Sequence, residues 1–389
     1  MTKKKNSIYH IDKPLVETVF DQKDNYLKDK YHIRYNKLSH YCDIKPISSN
    51  DWEIINVESL YIELRQNNIK TCLKNLEIYL KSNFIERFDP LEDYFESLPK
   101  WDGADYISDY VSYVDFEDLK QATYHFKKWL VRTVKCALID EYVNKQCFVL
   151  FQKEQNRGKT TWLRNLCPPK LSDYIAEDIG VDKDSRIALT RNFLINIDEI
   201  SYLDKSTINK VKSVLSKAKI NDRLPYDKVN SIIPRRSSYV ASTNDNDFLN
   251  DPTGSVRWLC FAIKGKIDFS YKDKFNIDKM WSQAYHLAFE DDKFESELTS
   301  EDVKLNEKRN SKFFNQNIEY ELIDKYFQKS ESKDDFKTPT EIIQLLEFSD
   351  RKLNNIRAGK ALTALGYNKV KHSTRQAYGY LASFNQQIK

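Results

Sequence analysis

CFVLFQKEQNRGKTT, residues 147–161, is the stretch from which the fold of this 389-residue chain is predicted. Its first five residues form a short, continuous apolar run, which is typical of a strand buried in a parallel sheet. The run leads into Gly158, Lys159 and Thr160, which end a phosphate-loop pattern whose first glycine is replaced by Lys153. Gly158 allows a tight turn, and we expect a helix to begin directly after it. The stretch therefore predicts a strand, a phosphate-binding loop and a helix.

The loop residues are predicted to bind a nucleotide, because their side chains suit the parts of a triphosphate. Lys159 would reach the β and γ phosphates, and the Thr160 hydroxyl would hold Mg²⁺. Asn156 tolerates the left-handed conformation, so it can absorb part of the turn. ATP with Mg²⁺ is therefore the expected ligand of Asn156, Arg157, Gly158, Lys159, Thr160 and Thr161.

A second apolar strand ends in two carboxylates, in the stretch FLINIDEI at residues 193–200. Asp198 fits the residue that holds Mg²⁺ through water, and Glu199 fits the base that polarises the attacking water. Alternatively, one of these carboxylates merely caps the next helix. The phosphate-loop pattern upstream favours the catalytic interpretation.

Two further residues are predicted to act near the γ-phosphate. The strand SSYVAST, residues 237–243, ends before Asn244, whose polar side chain can sense that phosphate. Arg257 lies in DPTGSVRW, residues 251–258, and could reach the ATP of a neighbouring subunit and neutralise charge in the transition state. An isolated arginine is otherwise a surface residue, and this alternative stays open.

The order of these motifs resembles the virulence-associated protein E group of helicase-like ATPases from phages and mobile elements, near the superfamily 3 helicases. The resemblance starts at FDPLEDYFESLPKWDG, residues 88–103, and includes LPYDK at 224–228 and IPRRSSYVASTN at 233–244. It implies an AAA+-type ATPase ring, usually hexameric. It also implies ATP at the subunit interfaces and single-stranded DNA in the channel.

The same resemblance implies a β-hairpin that carries basic residues into the channel, and residues 223–236 match it. Tyr226 and Lys228 lie near the expected tip, where tyrosine would stack on a base and lysine would contact phosphate. Arg235 and Arg236 are also candidate DNA contacts, with a solvated or structural role as the equal alternative.

The C-terminal segment is the locally basic part of the chain, because residues 351–389 contain no Asp or Glu. Its pattern predicts two helices, at 338–347 and 353–365, and strands around 369–370 and 378–384, which resemble a winged helix. On duplex DNA, the helix would present Arg357 and Lys360, and the wing would present Lys371 and Arg375. A basic but purely structural cap is the alternative.

Composition excludes several classes of protein. The net charge is only +4, so nucleic-acid contacts must come from local patches. The six cysteines are scattered without the spacing of a zinc site or a disulfide framework. No segment has the length of apolar sequence that spans a membrane, and a cytoplasmic protein is expected.

These patterns predict an α/β fold with a P-loop AAA+-type ATPase core, an N-terminal helical module and a C-terminal winged helix. The expected domains are residues 1–104, 105–290 and 336–389, with a charged helical linker over 291–335. The function expected is an ATP-driven DNA helicase or replication initiator of a phage or mobile element. The alternatives are an ATPase that loads or remodels without processive unwinding, and a nucleotide-dependent DNA-binding switch.

Overall fold

The computed structural model of the chain describes residues 18–177, 183–200, 205–223, 230–245, 248–249, 256–313, 318–346, 353–372 and 377–385. The chain forms two compact units, Met1–Leu98 and Pro99–Lys389. The division falls six residues before the predicted boundary at 104.

The first unit is an α+β fold. Its elements are α1 (Val19–Lys30), β1 (Tyr31–Asn36), β2 (Cys42–Pro46), β3 (Glu53–Ile54), α2 (Val57–Gln66), α3 (Leu73–Lys81), β4 (Glu86–Phe88) and α4 (Pro90–Glu96). The strands form one sheet in the order β3-β2-β1-β4. Helices form the larger part of this unit, in line with the predicted mostly helical module, but the sheet was not predicted. In β1, Tyr31, Ile33 and Tyr35 pack on the core of this unit, and His32 and Arg34 between them face away.

The first part of the second unit is built around a parallel sheet. Its elements are α5 (Tyr106–Ser112), α6 (Leu119–Leu138), β5 (Cys147–Phe151), α7 (Lys159–Arg164), β6 (Ile175–Glu177), α8 (Lys183–Arg191), β7 (Leu194–Ile197), α9 (Lys205–Leu215), β8 (Lys219–Asp222), β9 (Ser231–Pro234), β10 (Ser238–Thr243), β11 (Trp258–Ala262), α10 (Tyr271–Lys274), α11 (Ile277–Phe289) and α12 (Ser300–Asn310). The predicted strand, loop and helix around residue 158 are confirmed by β5 and α7.

The sheet has the order β11-β5-β10-β7-β6, and all neighbouring strands are parallel. One face packs in a core that includes Val149, Ile197 and Val211 of α9. On the other face, the ring of Phe148 packs against Phe126 of α6. Burial on both faces explains why these strands are continuous apolar runs. The mixed α/β class with a parallel sheet is confirmed.

The predicted β-hairpin before β10 is also present. β8 and β9 pair antiparallel, from Lys219 opposite Pro234 to Asp222 opposite Ser231. Tyr226 and Lys228, predicted at its tip, lie outside the described residues.

Residues 291–335 are not the linker that their charge predicts. Within them, α12 packs on β11: the side chains of Asn306 and Asn310 donate to the Trp258 carbonyl at 3.1 and 2.8 Å. At the start of α12, Asp302 forms a buried ion pair with Lys128 of α6 at 3.0 Å. The polar residues of this segment thus have buried partners, a role that composition does not reveal.

The last part of the second unit has its own core. Its elements are α13 (Ile318–Tyr326), β12 (Phe327–Lys329), β13 (Phe336–Lys337), α14 (Pro339–Leu345), α15 (Asn355–Ala364), β14 (Lys369–Lys371) and β15 (Tyr378–Phe384). β15 pairs antiparallel with β12, β13 and β14. Ile323 and Phe327 belong to the same core as Ile342 and Leu362. This region therefore starts at α13 and not at the predicted residue 336.

Candidate functional site

The candidate site lies where three parallel strands end. In the register of the sheet, Phe151 of β5 pairs with Thr243 of β10, and Ala241 of β10 pairs with Ile197 of β7. The residues that follow β5, β7 and β10 consequently meet at one edge of the sheet. Ligands of open α/β sheets bind outside the carboxyl ends of the strands, which is this edge.

The loop after β5 turns through two residues in the left-handed region. The φ angles of Asn156 and Gly158 are +58° and +96°. The prediction that Asn156 absorbs part of the turn is confirmed. Lys153 is not among the described residues with positive φ, so a side chain at this first-glycine position does not strain the backbone.

Lys159 is the first residue of α7, and its ammonium group is buried in the pocket. It donates to the Asn244 Oδ1 at 2.5 Å and to the Gln152 carbonyl at 3.2 Å. Burial lowers the pKa of Lys159, and the nearby carboxylates of Glu199 and Asp198 oppose this effect. The lysine is thus fixed beside the residue that was predicted to sense the γ-phosphate.

Thr160 and Asp198 form a group of oxygen atoms. The Thr160 hydroxyl donates to Asp198 Oδ1 at 2.7 Å, and the Ser242 hydroxyl donates to the same oxygen at 2.9 Å. Hydroxyl and carboxylate oxygens are the donors that Mg²⁺ prefers, with water and phosphate completing its coordination. These residues fit the predicted Mg²⁺ site.

Glu199 is held by the end of β10. Its carboxylate accepts from the Thr243 hydroxyl at 2.6 Å, and from the backbone N–H and Nδ2 of Asn244 at 2.9 and 2.8 Å. Its φ of +55° is unusual for a residue with a side chain and marks a constrained backbone. These contacts direct the carboxylate into the site.

Together these residues line an open pocket of about 350 Å³. Its walls are Gln155, Asn156, Arg157, Gly158, Lys159, Thr160, Thr161, Asp198, Glu199, Ser242 and Asn244. The structure therefore brings together every predicted nucleotide-binding and metal-binding residue. Sequence reasoning missed Ser242 and Thr243, although three polar residues in a row at the end of a buried strand were a usable signal.

Arg257 is not part of this pocket. It immediately precedes β11, whose first residue, Trp258, pairs with the first residue of β5, Cys147. Arg257 thus lies at the amino edge of the sheet, about 17 Å along the strands from the carboxyl edge. Its guanidinium donates to the Ser216 hydroxyl at 3.3 Å. It cannot reach the pocket of its own chain.

The prediction that Arg235 contacts DNA is wrong, because its side chain is fully buried. The guanidinium donates to the carbonyls of Val214 and Leu215, at the end of α9, and to those of Asn144 and Ser237. Arg236 is also mostly buried and pairs with Asp140 at 2.9 Å. The alternative of a structural role applies to both arginines, because their N–H groups bind carbonyl and carboxylate oxygens of the protein itself.

The predicted DNA contacts of the C-terminal region are exposed where the structure describes them. Arg357 and Lys360 lie on the outer face of α15, and Lys371 ends β14. Arg375 lies outside the described residues. Two exposed residues were missed, Ile356 of α15 and Tyr378 of β15, which are 73% and 60% exposed.

Within the described parts of the chain, no helix has the length and apolar character needed to cross a membrane. Among the same residues, no group of three or more His, Cys, Asp or Glu side chains has an arrangement that could hold a metal ion. The predicted Mg²⁺ site differs from such a group because the hydroxyls of Thr160 and Ser242 would supply part of it.

Solved structures with similarity to this chain include two of one phage-related region and one of a viral helicase. The apo structure of the NrS-1 C-terminal region (305–718) matches with a TM-score of 0.50 and 12% identity, over 92% of this chain and 98% of that one. An A form apo structure of the same region matches with a TM-score of 0.49, 12% identity and the same coverage. A JCV helicase bound to a substituted phenoxyphenyl acetamide has a TM-score of 0.30 and 13% identity, over 52% of this chain and 60% of that one. At such identities, the first match shows the fold alone.

No curated protein matches the sequence. The virulence-associated protein E-like domain matches residues 95–315, which are more than half of the chain. This range contains the whole parallel sheet and the pocket at its edge. The chain belongs to the virulence-associated protein E-like domain family.

Proposed function

We propose that this protein is an ATP-hydrolysing DNA helicase or replication initiator of a phage or mobile element. The observation that carries the proposal is the meeting of Lys159, Thr160, Asp198, Glu199 and Asn244 in one pocket. These residues come from the ends of three strands that are far apart in sequence. A phosphate-binding lysine, two metal-binding oxygens, a carboxylate base and a polar sensor are the parts needed for phosphoryl transfer to water.

Each residue has a definite task in this proposal. Lys159 would exchange its bond to Asn244 for the β and γ phosphates, which leaves Asn244 free to contact the γ-phosphate. Mg²⁺, held by Thr160 and Asp198, would neutralise phosphate charge when bound. Glu199 would accept the proton of the attacking water, and Thr243 would keep its carboxylate in place.

The parallel sheet also supports an AAA+-type core. β10 lies between the phosphate-loop strand β5 and the acidic strand β7, so its end places the sensor Asn244 beside both. The position of Arg257 at the opposite edge of the sheet supports a role in the ATP site of a neighbouring subunit, because its side chain cannot reach the pocket of its own chain. A ring, in which each arginine completes the next site, is the assembly that fits this separation.

Two regions would contact DNA. The hairpin of β8 and β9 would direct its loop, with Tyr226 and Lys228, to a single strand in the ring. The C-terminal region, with α14 and α15 and the antiparallel strands β14 and β15, would act as the winged helix and place the exposed basic face of α15 in the major groove of a duplex. The aromatic ring of Tyr378 lies near Lys369 and Lys371, a combination suited to stacking and phosphate contact.

A nucleotide-dependent switch with little hydrolysis is a second candidate, favoured by one observation. Both oxygens of Glu199 accept hydrogen bonds from Thr243 or Asn244. The carboxylate must give up at least one of these bonds to bind water. If nothing drives that exchange, ATP is bound but barely hydrolysed.

ATP hydrolysis measured with and without single-stranded and forked DNA separates these functions, with strand separation on the fork as a second readout. A helicase hydrolyses ATP faster with DNA and separates the strands. A remodelling ATPase hydrolyses without separating them, and a switch shows nucleotide-dependent DNA affinity with negligible turnover. Lys159→Ala is the control, and hydrolysis that survives it would refute the assigned pocket.

A further inference from the structure

The proposed site also needs a surface for the sugar and base of the nucleotide. Asp198, Glu199 and Asn244, which are assigned to Mg²⁺, the attacking water and the γ-phosphate, follow β7 and β10, whereas the loop from Gln155 to Gly158 follows β5. With the γ-phosphate at Asn244, we expect the sugar and base to leave the pocket past this loop, on the side of Gly158.

The ring of Phe269 lies against the loop at Gly158, just outside the residues that line the pocket. A Cβ atom placed on Gly158 would lie 2.4 Å from Phe269 Cζ, and 3.1 and 3.2 Å from Cε1 and Cε2. The ring therefore meets the loop with its edge, and Gly158 covers neither of its faces. The ring is only half-buried. An aromatic face beside the exit is a surface on which a base can stack.

The backbone holds Phe269 in this position from two sides. The N–H of Ile267 donates to the Arg157 carbonyl of the phosphate loop at 3.4 Å. The N–H of Asp268 donates to the Tyr113 carbonyl at 2.9 Å. The backbone that leads to Phe269 is thus tied to the loop before a ligand arrives, which lowers the entropy cost of stacking.

The charges around the ring suit a nucleotide. The ammonium groups of Lys266 and Lys272 lie 5.8 and 5.2 Å from the ring centroid, and both side chains are exposed. Long, exposed lysines can move aside for a base and then contact the α-phosphate or the ribose. An aromatic face with two mobile cations is a combination that nucleotides recognise.

We propose that Phe269 is the base-stacking residue of this site and that the ligand is a nucleoside di- or triphosphate, with purines bound more tightly than pyrimidines. The proposal rests on the proposed nucleotide-binding function. The strength of stacking depends on the area of the base and not on the hydrogen-bonding groups at its edge. Nucleotides of adenine and guanine should therefore bind with similar affinity.

The test uses ADP and inorganic pyrophosphate, which share two phosphates and differ in the nucleoside, titrated calorimetrically with Mg²⁺ into the full chain. Phe269→Leu keeps an apolar side chain but removes the ring. It should weaken ADP binding about tenfold or more and leave pyrophosphate binding unchanged, given the usual strength of base stacking. The control is Phe275→Leu, the same change in a half-buried ring of the same segment, which should alter neither affinity.

The other outcomes overturn the proposal in distinguishable ways. Equal weakening of both ligands by Phe269→Leu would mean that the ring only supports the phosphate loop. If Phe269→Leu does not weaken ADP binding, the base lies elsewhere. If Phe275→Leu weakens ADP binding, the base lies against Phe275. If the wild-type chain binds neither ligand, the proposed function fails as well. Should Phe269→Leu not fold, the wild-type chain still decides: equal affinities for ADP and pyrophosphate exclude a base-stacking residue.

Discussion

Replacing Arg235 by Met should strongly destabilise the protein, because it removes the buried guanidinium and keeps most of the apolar stem. Four backbone carbonyls, at 2.9 to 3.1 Å from the guanidinium nitrogens, would lose this donor. The Val214 carbonyl keeps a second donor, the N–H of Lys217 at 3.0 Å, whereas the carbonyls of Leu215, Ser237 and Asn144 depend mainly on the arginine. At about 1 kcal/mol for each of these three buried carbonyls left unsatisfied, the loss is about 3 kcal/mol. This loss is a large part of the free energy of unfolding of a typical domain, which is roughly 5–15 kcal/mol.

Urea unfolding followed by tryptophan fluorescence measures this loss, because Trp129, Trp162, Trp258 and Trp281 are all fully buried in the second unit. With an m-value of about 3 kcal/mol/M, the midpoint should fall by about 1 M. Arg236→Met is the matched control and should cost less, because Asp140, its ion-pair partner, is mostly exposed. An unchanged midpoint for Arg235→Met together with weaker DNA binding would refute the structural role.

Three further changes test the proposed mechanism. Glu199→Gln should bind ATP but hydrolyse it at least about a hundredfold more slowly, because the general base is lost while Asp198 stays; near-normal turnover would contradict the assignment. Arg257→Ala mixed with Lys159→Ala should recover part of the ATPase activity, because some interfaces combine two intact halves; no recovery in assembled mixtures would make Arg257 structural. Deleting residues 318–389 should weaken duplex binding and flatten its salt dependence while basal ATPase survives, because fewer phosphate counterions are released; an unchanged slope would leave the C-terminal region a structural cap.

The parallel sheet could be predicted from sequence because burial on both faces makes its strands visible as apolar runs. CFVLF, FLINI and SYVA all lie on strands of the sheet. The sheet of the first unit could not be predicted in the same way. β1 and β2 alternate polar and apolar residues over only six and five positions, and the two-residue β3 carries no periodic signal.

The extent of the C-terminal region shows a second limit. Residues 291–335 were predicted to be a linker because of their many charged residues. The apolar residues of α13, such as Ile323, nevertheless belong to the C-terminal core. Four or five apolar positions in a charged helix are enough to bury one face. The charged residues of such a helix lie on its solvent-exposed face. Their number therefore does not indicate whether the opposite, apolar face packs in a core.

The two arginines that sequence grouped with DNA contacts show why charge alone does not identify a binding surface. In the stretch IPRRSS, two adjacent arginines beside a predicted channel hairpin look like a phosphate-binding pair. Arg235 and Arg236 lie between β9 and β10, and their side chains have different partners: Arg235 donates to carbonyls at the end of α9, and Arg236 pairs with Asp140. Arg235 satisfies those carbonyls without any carboxylate, because helix C-termini carry partial negative charge. The attraction of an arginine to negative charge can thus lead either to a phosphate contact or to a buried structural role. Which of these applies to Arg235 depends on the position of α9, and that position is set by tertiary packing.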